Sequence, residues 1–464
     1  MKRTPIVSTI SGIGGELRIS GFVDSVRSHG SVLFLDIRDF SGTVQAVITA
    51  ENEDYKNVKE IRPEWVVEIL GLVKERPEKM KNKESKTGDV EIEIKKINIL
   101  SKAKTVPFSV DTDGSEIGEE TRMQYRYIDI RRDRLKRNLQ ARHDVAFFCR
   151  NFLNDKNFLE IETPILTKST PEGARDFLVP SRKQPGNFYA LPQSPQQYKQ
   201  LLMVAGLERY FQFARCFRDE DMRADRQAEF TQLDMELSFA EKEDILLLVE
   251  SMVTELVEVI FPDKTIKEKP FPRIEYSEAM EKWNTDRPDL RDNKEDKNEL
   301  AFAFITDFPM FEKNKEGKRN AVHHPFTMPV ETSPQKIKKN PDKIKGCQYD
   351  LVLNGNEIAG GSIRSHKPEI LEAVFSVLGH TKEEAQEKFG HLFEAFSYGV
   401  PPHGGIAFGF ERFLMVLLGE ENIREVIPFP KTGDGRDLTM GAPSSGIDKK
   451  QLDELGLNKK EKKK

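Results

Sequence analysis

Cysteine is scarce in this sequence. Cys149, Cys216 and Cys347 are three among 464 residues, an odd number without paired spacing, which excludes a disulfide framework and a zinc site built on cysteine pairs. No run of about 18 apolar residues exists, and the first residues lack the apolar core of a signal peptide. A cytoplasmic protein is therefore expected. Excess positive charge is missing too: 72 Lys and Arg face 77 Asp and Glu, a net charge of −5. No global basic field marks a nucleic-acid binder, although a local basic patch would serve equally well. Internal repeats are absent. What remains is a chain with 32% charged residues, long enough for two or three domains with their own cores.

Two segments around a charged loop carry the strongest signal. They are Cys216-Phe217-Arg218-Asp219-Glu220 and Glu229-Phe230-Thr231-Gln232-Leu233-Asp234-Met235-Glu236. Alternate residues of a strand share a face, so Arg218 sits with Glu220, and Phe230 sits with Gln232, Asp234 and Glu236. The polar face thus holds a guanidinium, a ring and several hydrogen-bonding side chains, joined by a loop over 221–227. A fixed cation for phosphate, a ring for a base and acceptors for an amine are what holding a nucleotide requires.

The first hundred residues read as a small β domain. Leu33, Leu35 and Ile37 alternate with polar neighbours, as do Val44, Ala46 and Ile48, and Val90, Ile92 and Ile94. With strands over 17–26 and 65–73 they make about five, which fits a closed barrel of OB type over residues 1–103. Phe34 falls on the outer face beside Asp36 and Arg38, and Gln45 and Glu91 also point outward. An exposed ring there suits base stacking, worth roughly 1–3 kcal/mol per base, although a scattered surface Phe would look the same. A polar linker follows over 104–135, with the basic run Arg122, Arg126, Arg131 and Arg132. Residues 136–445 mix helices and strand pairs, so α+β is expected rather than a regular βαβ repeat. One helix starts near Arg134; another is expected to start at a capping box, Ser238 with Glu241. The basic tail over 446–464 is expected to be disordered.

Three further segments fix a resemblance. Phe158-Leu159-Glu160-Ile161-Glu162-Thr163-Pro164, the strand pair above, and Gly404-Gly405-Ile406-Ala407-Phe408-Gly409-Phe410-Glu411-Arg412 look like motifs 1, 2 and 3 of class II synthetases, in that order. Thr170-Pro171-Glu172-Gly173, Gln193-Ser194-Pro195-Gln196, His323-His324-Pro325-Phe326 and Asp350-Leu351-Val352-Leu353-Asn354-Gly355-Asn356-Glu357 narrow it. The chain resembles the aspartyl-tRNA synthetases of bacterial type, in subclass IIb, from the barrel to Pro443. Relatives carry an extra domain between motifs 2 and 3. Here Pro288-Asp289-Leu290-Arg291 runs almost directly into Phe304-Ile305-Thr306-Asp307, and that insertion is lacking.

The resemblance implies an ATP-dependent ligase that makes aspartyl-adenylate and passes the aspartyl group to tRNA(Asp), as a homodimer joined through motif 1. It implies that Arg218 and Arg412 are catalytic, with ATP held by Arg218, Asp219, Glu220, Gln227, Phe230, Glu357, Gly409, Phe410, Glu411 and Arg412. Aspartate would be held by Glu172, Ser194, Gln196, Lys199, Arg218, Asp234, His323, His324 and Arg364. Lys199 and Arg364 would face the substrate's side-chain carboxylate. Magnesium would bind Asp350 and Glu357; their spacing of seven puts them on opposite faces of a flat strand, so a turn at Gly355 or a bulge must bring them together. Gly173 would belong to a lid over 170–177. Arg27, His29, Phe34, Gln45 and Glu91 would read the anticodon. His29 resembles the relaxed type that also charges tRNA(Asn). The alternatives are a strictly tRNA(Asp)-specific enzyme, a non-catalytic tRNA-binding relative, and lysine, asparagine or amidating relatives; an acidic amino-acid pocket would mark the lysine branch.

Overall fold

The computed structural model describes residues 1–169, 173–444 and 446–458, in two compact units, Met1–Ser109 and Val110–Lys464. In the first unit, β1 (Glu16–His29), β2 (Val32–Arg38), β3 (Thr43–Thr49), β4 (Val66–Glu75) and β5 (Val90–Ser101) close a barrel in the order β1-β2-β3-β5-β4. The alternation seen in the sequence is what closes it. Leu33, Leu35, Ile37, Val44, Ala46, Ile48, Val90, Ile92 and Ile94 all point inward and are buried, and the residues between them form the outer face. Gly21 is needed where β1 coils over β2, since a Cβ there would overlap the Arg38 carbonyl.

The second unit is built on an eight-stranded sheet. Its strands are β6 (Leu159–Glu160), β7 (Arg209–Phe217), β8 (Glu229–Ser238), β9 (Arg273–Glu275), β10 (Phe302–Thr306), β11 (Gln348–Leu353), β12 (Asn356–Ile363) and β13 (His403–Gly409), in the order β9-β10-β11-β12-β13-β8-β7-β6. The outermost pairs, β9 with β10 and β6 with β7, are parallel; every pairing between them is antiparallel. This is the expected α+β class. One face of the sheet packs against three helices. These are α1 (Asp133–Asp155), α3 (Lys242–Ile260) and α4 (Phe410–Leu418), numbered around α2 (Gln196–Val204). Leu233, Met235, Ile406 and Phe408 from the sheet meet Val145, Met252, Leu256 and Leu414 from the helices in one core. Because side chains alternate, Gln232, Asp234 and Glu236 are turned to the opposite face.

Several sequence expectations need correction. Ser238 does not cap α3: it is still paired in the sheet, opposite His403. The chain turns at Phe239, with φ 58°, and Glu241 precedes the helix with its N–H donating to Asp244 Oδ2 at 2.8 Å. The sheet ladder claimed Ser238 before the helix could. The linker over 104–135 is no loose connector beyond Ser109. Short helices at Glu119–Gln124 and Arg126–Asp129 belong to the second unit. Arg122, Arg126 and Arg132 are buried around the Asp129 carboxylate, with bonds of 3.0, 2.8 and 2.8 Å. Guanidinium groups enter an interior when carboxylates pair with them. The expected domain start at 136 falls inside α1. The tail holds a short helix, Lys449–Glu454; residues 459–464 lie outside the described ones.

Candidate active site

The polar face of β8, β12 and β13 floors a cleft of about 350 Å³. Arg218 and Arg412 both line it. Strand β7 ends at Phe217, so Arg218 and Glu220 stand in the loop beyond it, not on the strand as the alternation suggested. The Arg218 N–H still donates to the Ala228 carbonyl at 2.8 Å, and its guanidinium lies over the Phe230 ring, 5.1 Å from the centroid. No carboxylate among the described residues pairs with it. Glu220 faces Arg226 at 3.5 Å. Arg412 projects from the first turn of α4, donating to the Glu357 carbonyl at 2.8 Å and pairing with Asp225 at 3.3 Å.

Four residues expected at ATP are otherwise engaged. Phe410 begins the apolar stripe of α4: it is 2% exposed, packs edge-on against Phe213 and carries the Arg142 guanidinium over its ring. Glu411 touches the cleft, but its carboxylate accepts from Arg142 at 2.8 Å and from the Thr231 N–H at 2.9 Å, tying α1 and α4 to β8. Asp219 does not line the cleft; its N–H donates to the Arg175 carbonyl, and its side chain pairs with Arg175 at 3.7 Å. Gln227 is a wall residue, with both ends of its amide on the Lys431 backbone at 3.1 and 2.8 Å. Gly409 also lines the cleft.

At the closed end lies a buried quartet of charges. Lys199, from α2, places Nζ 2.5 Å from Asp234 Oδ1 and 3.1 Å from Glu236 Oε2. Arg364 donates to both Glu236 oxygens at 2.9 and 3.1 Å and to Ser362 Oγ at 2.8 Å. Burial alone would raise the Glu236 carboxyl; Arg364 and Lys199 outweigh it and hold it down at about 2. Burial wins at Asp234 and raises it against the pull of Lys199, and Oδ2 has no partner among the described residues. Arg364 carries five N–H donors and Lys199 three, so both keep donors to spare after these bonds. Glu236 was missing from the expected site, although strand alternation placed it beside Asp234. Gly405 serves it, because a Cβ there would overlap the Glu236 carboxylate.

His323 and His324 border the same end. Crowding by protein, then repulsion from Arg364, Lys199 and Arg218, lowers the His323 imidazole below its usual range, although the ring is open to the cleft. His324 is buried and lowered for the same reasons, with His323 next to burial among them. Its Nδ1 accepts the Phe326 N–H at 3.1 Å, which leaves Nε2 as an unpartnered donor among the described residues. Ser194 and Gln196 line the cleft at the start of α2, where Ser194 Oγ accepts the Gln196 N–H at 3.2 Å. Glu172 and its neighbours over 170–172 lie outside the described residues; of the expected lid, the described part over 173–177 is tied down, the Ala174 N–H donating to Gln193 Oε1 at 3.0 Å.

The turn at Asn354 and Gly355, with φ 48° and 80°, and a register shift at Leu351/Val352 together bring Asp350 and Glu357 to one side. Glu357 pairs opposite Val352, which shares a face with Asp350. A Cβ built on Gly360 would lie 3.1 Å from Asp350 Oδ1, 3.5 Å from Glu357 Oε1 and 3.6 Å from His323 Cε1. Burial, then Glu357, raises the Asp350 carboxyl well above its usual range. No cationic side chain among the described residues pairs with either. Two hard oxygen donors without a counter-charge suit a divalent cation, and no third His, Cys, Asp or Glu completes a cage among the described residues. The remaining ligands would have to be water or phosphate oxygens, the preference of magnesium.

Sequence reasoning also missed the support behind the cleft. Arg126 donates to the carbonyls of Arg424, Ile427 and Pro428 at 2.5, 3.0 and 3.0 Å. The Ile423 N–H then holds the Ala224 carbonyl of the 221–227 loop at 2.9 Å. No motif spacing announces such main-chain contacts across some 300 residues.

On the barrel, four outward residues form a ladder. Arg27 donates to Asp36 at 2.9 Å and to Gln45 at 3.4 Å, and Gln45 donates to Glu91 at 3.1 Å. Phe34 is half-buried on the same surface, paired across from Arg27. His29 is exposed at the end of β1.

Residues 118–433 match the family described as tRNA synthetases class II (D, K and N), and residues 17–100 match the OB-fold nucleic acid binding domain. The chain is 40% identical to a protein named aspartate–tRNA(Asp/Asn) ligase from Dehalococcoides mccartyi strain 195, over 97% of each chain. It is 40% identical to one of the same name from Syntrophomonas wolfei, over 100% of each. These alignments run to 585 and 592 positions, against 464 residues here, so more than a hundred positions of the relatives have no counterpart. The fold is similar to the Pyrococcus horikoshii asparaginyl-tRNA synthetase solved with asparaginyl-adenylate, at TM-score 0.73 and 23% identity over 91% of this chain and 96% of that one.

Proposed function

We propose the following reaction on the premise that this chain belongs to the class II tRNA synthetases of the D, K and N group, with an OB-fold anticodon-binding domain. It is an aspartate–tRNA ligase that uses ATP. The observation that carries the choice of aspartate is the buried pair Lys199 and Arg364, opening into the cleft that Arg218 and Arg412 share. Those two cations hold the substrate's side-chain carboxylate, and Asp234 Oδ2 accepts from its ammonium. The α-carboxylate oxygen then attacks the α-phosphorus of ATP, the bond to the β-phosphate oxygen breaks, and pyrophosphate leaves. Charge grows on phosphate oxygens, so preorganised cations lower the barrier. Arg218 supplies a planar fork to the α-phosphate, leaving Phe230 free to stack on the adenine, while Glu220 accepts from its amine. Arg412 meets the far phosphates. Asp350 and Glu357 would hold magnesium, which supplies further positive charge to those oxygens. The terminal hydroxyl of the tRNA then attacks the aspartyl carbonyl and releases AMP.

The outer ladder of the barrel supports anticodon reading by Arg27, Phe34, Gln45 and Glu91, with His29 relaxing the choice at the third base. tRNA(Asn) is accordingly a second substrate. Charging assays with the two transcripts check this; aspartylation of both is expected, and strict rejection of tRNA(Asn) refutes the relaxed reading. A cytoplasmic location fits an enzyme that uses ATP and tRNA. No helix among the described residues is long and apolar enough to cross a membrane.

A homodimer is supported by the edge strand β6 and by exposed Leu159, Ile165 and Leu166, which are 50%, 45% and 53% accessible. Sedimentation should give twice the chain mass, and Leu159→Glu with Leu166→Glu should give a folded monomer of low activity. A wild-type monomer at micromolar concentration would contradict the assignment.

A further inference from the structure

We propose that the surface over residues 311–345 binds the double-helical acceptor arm of the incoming tRNA. This rests on the tRNA-charging reading above. The segment holds nine Lys and Arg against four Asp and Glu, a surplus of five positive charges in a chain of net charge −5. Its pieces form one surface. The hairpin Phe311–Lys313 with Arg319–Ala321 and the helix Pro334–Lys339 bury Phe311, Ile337 and Ile344 in a shared small core. Asp342 knits them from outside, pairing with Lys313 at 3.3 Å and Arg319 at 2.8 Å. All eight lysines of the segment are exposed.

Neighbouring carboxylates neutralise part of this charge. Lys318 faces Glu316, Lys336 faces Glu331 and Lys345 faces Glu275. No carboxylate among the described residues pairs with Lys315, Lys338, Lys339 or Lys343. Unpaired lysines on a rigid support are point charges of the kind that track phosphates without reading sequence.

The position fits the acceptor arm. The hairpin ends at Ala321, two residues before His323 in the cleft. The chain then passes beside Arg364, where the Met328 N–H donates to the Ile363 carbonyl at 2.8 Å. A terminal adenosine entering the cleft to meet the adenylate brings its stem phosphates to this border. Relatives with more than a hundred extra positions have further protein to offer tRNA; this chain has a dense lysine surface.

The test is tRNA affinity as a function of KCl for the wild type and for Lys315→Ala/Lys338→Ala/Lys339→Ala/Lys343→Ala. Each phosphate contact contributes about 0.9 to the slope of log K against log salt on duplex nucleic acid. The variant should lose about 2 to 4 of that slope, and its KM for tRNA should rise about tenfold or more at physiological salt. Aspartate-dependent pyrophosphate exchange should be unchanged, since these lysines touch neither ATP nor aspartate. The same losses should appear on an acceptor-arm minihelix that lacks an anticodon. Equal slopes for the two proteins overturn the proposal, as does a loss seen with whole tRNA but absent on the minihelix. A wild type without exchange activity would defeat the ligase reading instead.

Discussion

Arg364→Leu is expected to cut aspartate-dependent activity by roughly a hundredfold or more while leaving ATP binding nearly intact. Arg364 makes three bonds inside the quartet, two of them to Glu236. Without it, Glu236 is a fully buried carboxylate held by Lys199 alone. Breaking a buried pair from one side costs about 3–5 kcal/mol. Applied to substrate binding, that is a fall in kcat/KM for aspartate of roughly two to three and a half powers of ten. The same variant should also melt lower. Stability and function separate in the double variant Arg364→Leu/Glu236→Leu, which removes both charges at once. Its melting temperature should recover towards that of the wild type, and its activity should not. Recovery of activity would mean that the pair only holds the fold together.

Asp350→Asn should be at least as stable as the wild type and should lose exchange activity by a hundredfold or more. The Asp350 carboxyl is raised by burial and by Glu357, so the folded protein binds a proton there that the unfolded chain releases. The sign follows: this group costs stability at neutral pH, and the cost fades as pH falls through the raised value. A divalent cation removes the same cost without a proton. Magnesium should therefore raise the melting temperature of the wild type at neutral pH and leave Asp350→Asn unmoved. Equal shifts in both proteins would place the ion elsewhere. The activity loss follows because phosphate charge in the transition state goes uncompensated.

Period-two alternation located the barrel, the motif strands and the polar face of the cleft, because one side of each strand is buried and the other is not. It failed at element ends. Arg218 and Glu220 lie past the last ladder residue, and Ser238 stays in the sheet where a capping signal suggested a helix start. Phe410 follows the helical period of α4 into the core, although a linear motif had grouped it with its cleft-lining neighbours Gly409 and Arg412. The approach of Asp350 and Glu357 required a bulge, which spacing could call for but not place. Glu236 was visible as a face-mate of Asp234; its role emerged only when Arg364, 128 positions away in the chain, proved to grip it. The main-chain clamp by Arg126 has no side-chain pattern at its receiving end and could not have been read at all.

The most direct measurement is exchange of labelled pyrophosphate into ATP by the dimeric wild type, run separately with L-aspartate, L-asparagine and L-lysine and without tRNA. Two cations at the closed end of the cleft predict rapid exchange with aspartate. They predict a rate lower by about two orders of magnitude or more with asparagine, whose neutral amide leaves that charge unanswered. Lysine should give none. Comparable exchange with asparagine, or no exchange with aspartate by folded protein, would contradict the assignment of Lys199 and Arg364 as the grip on an acidic substrate.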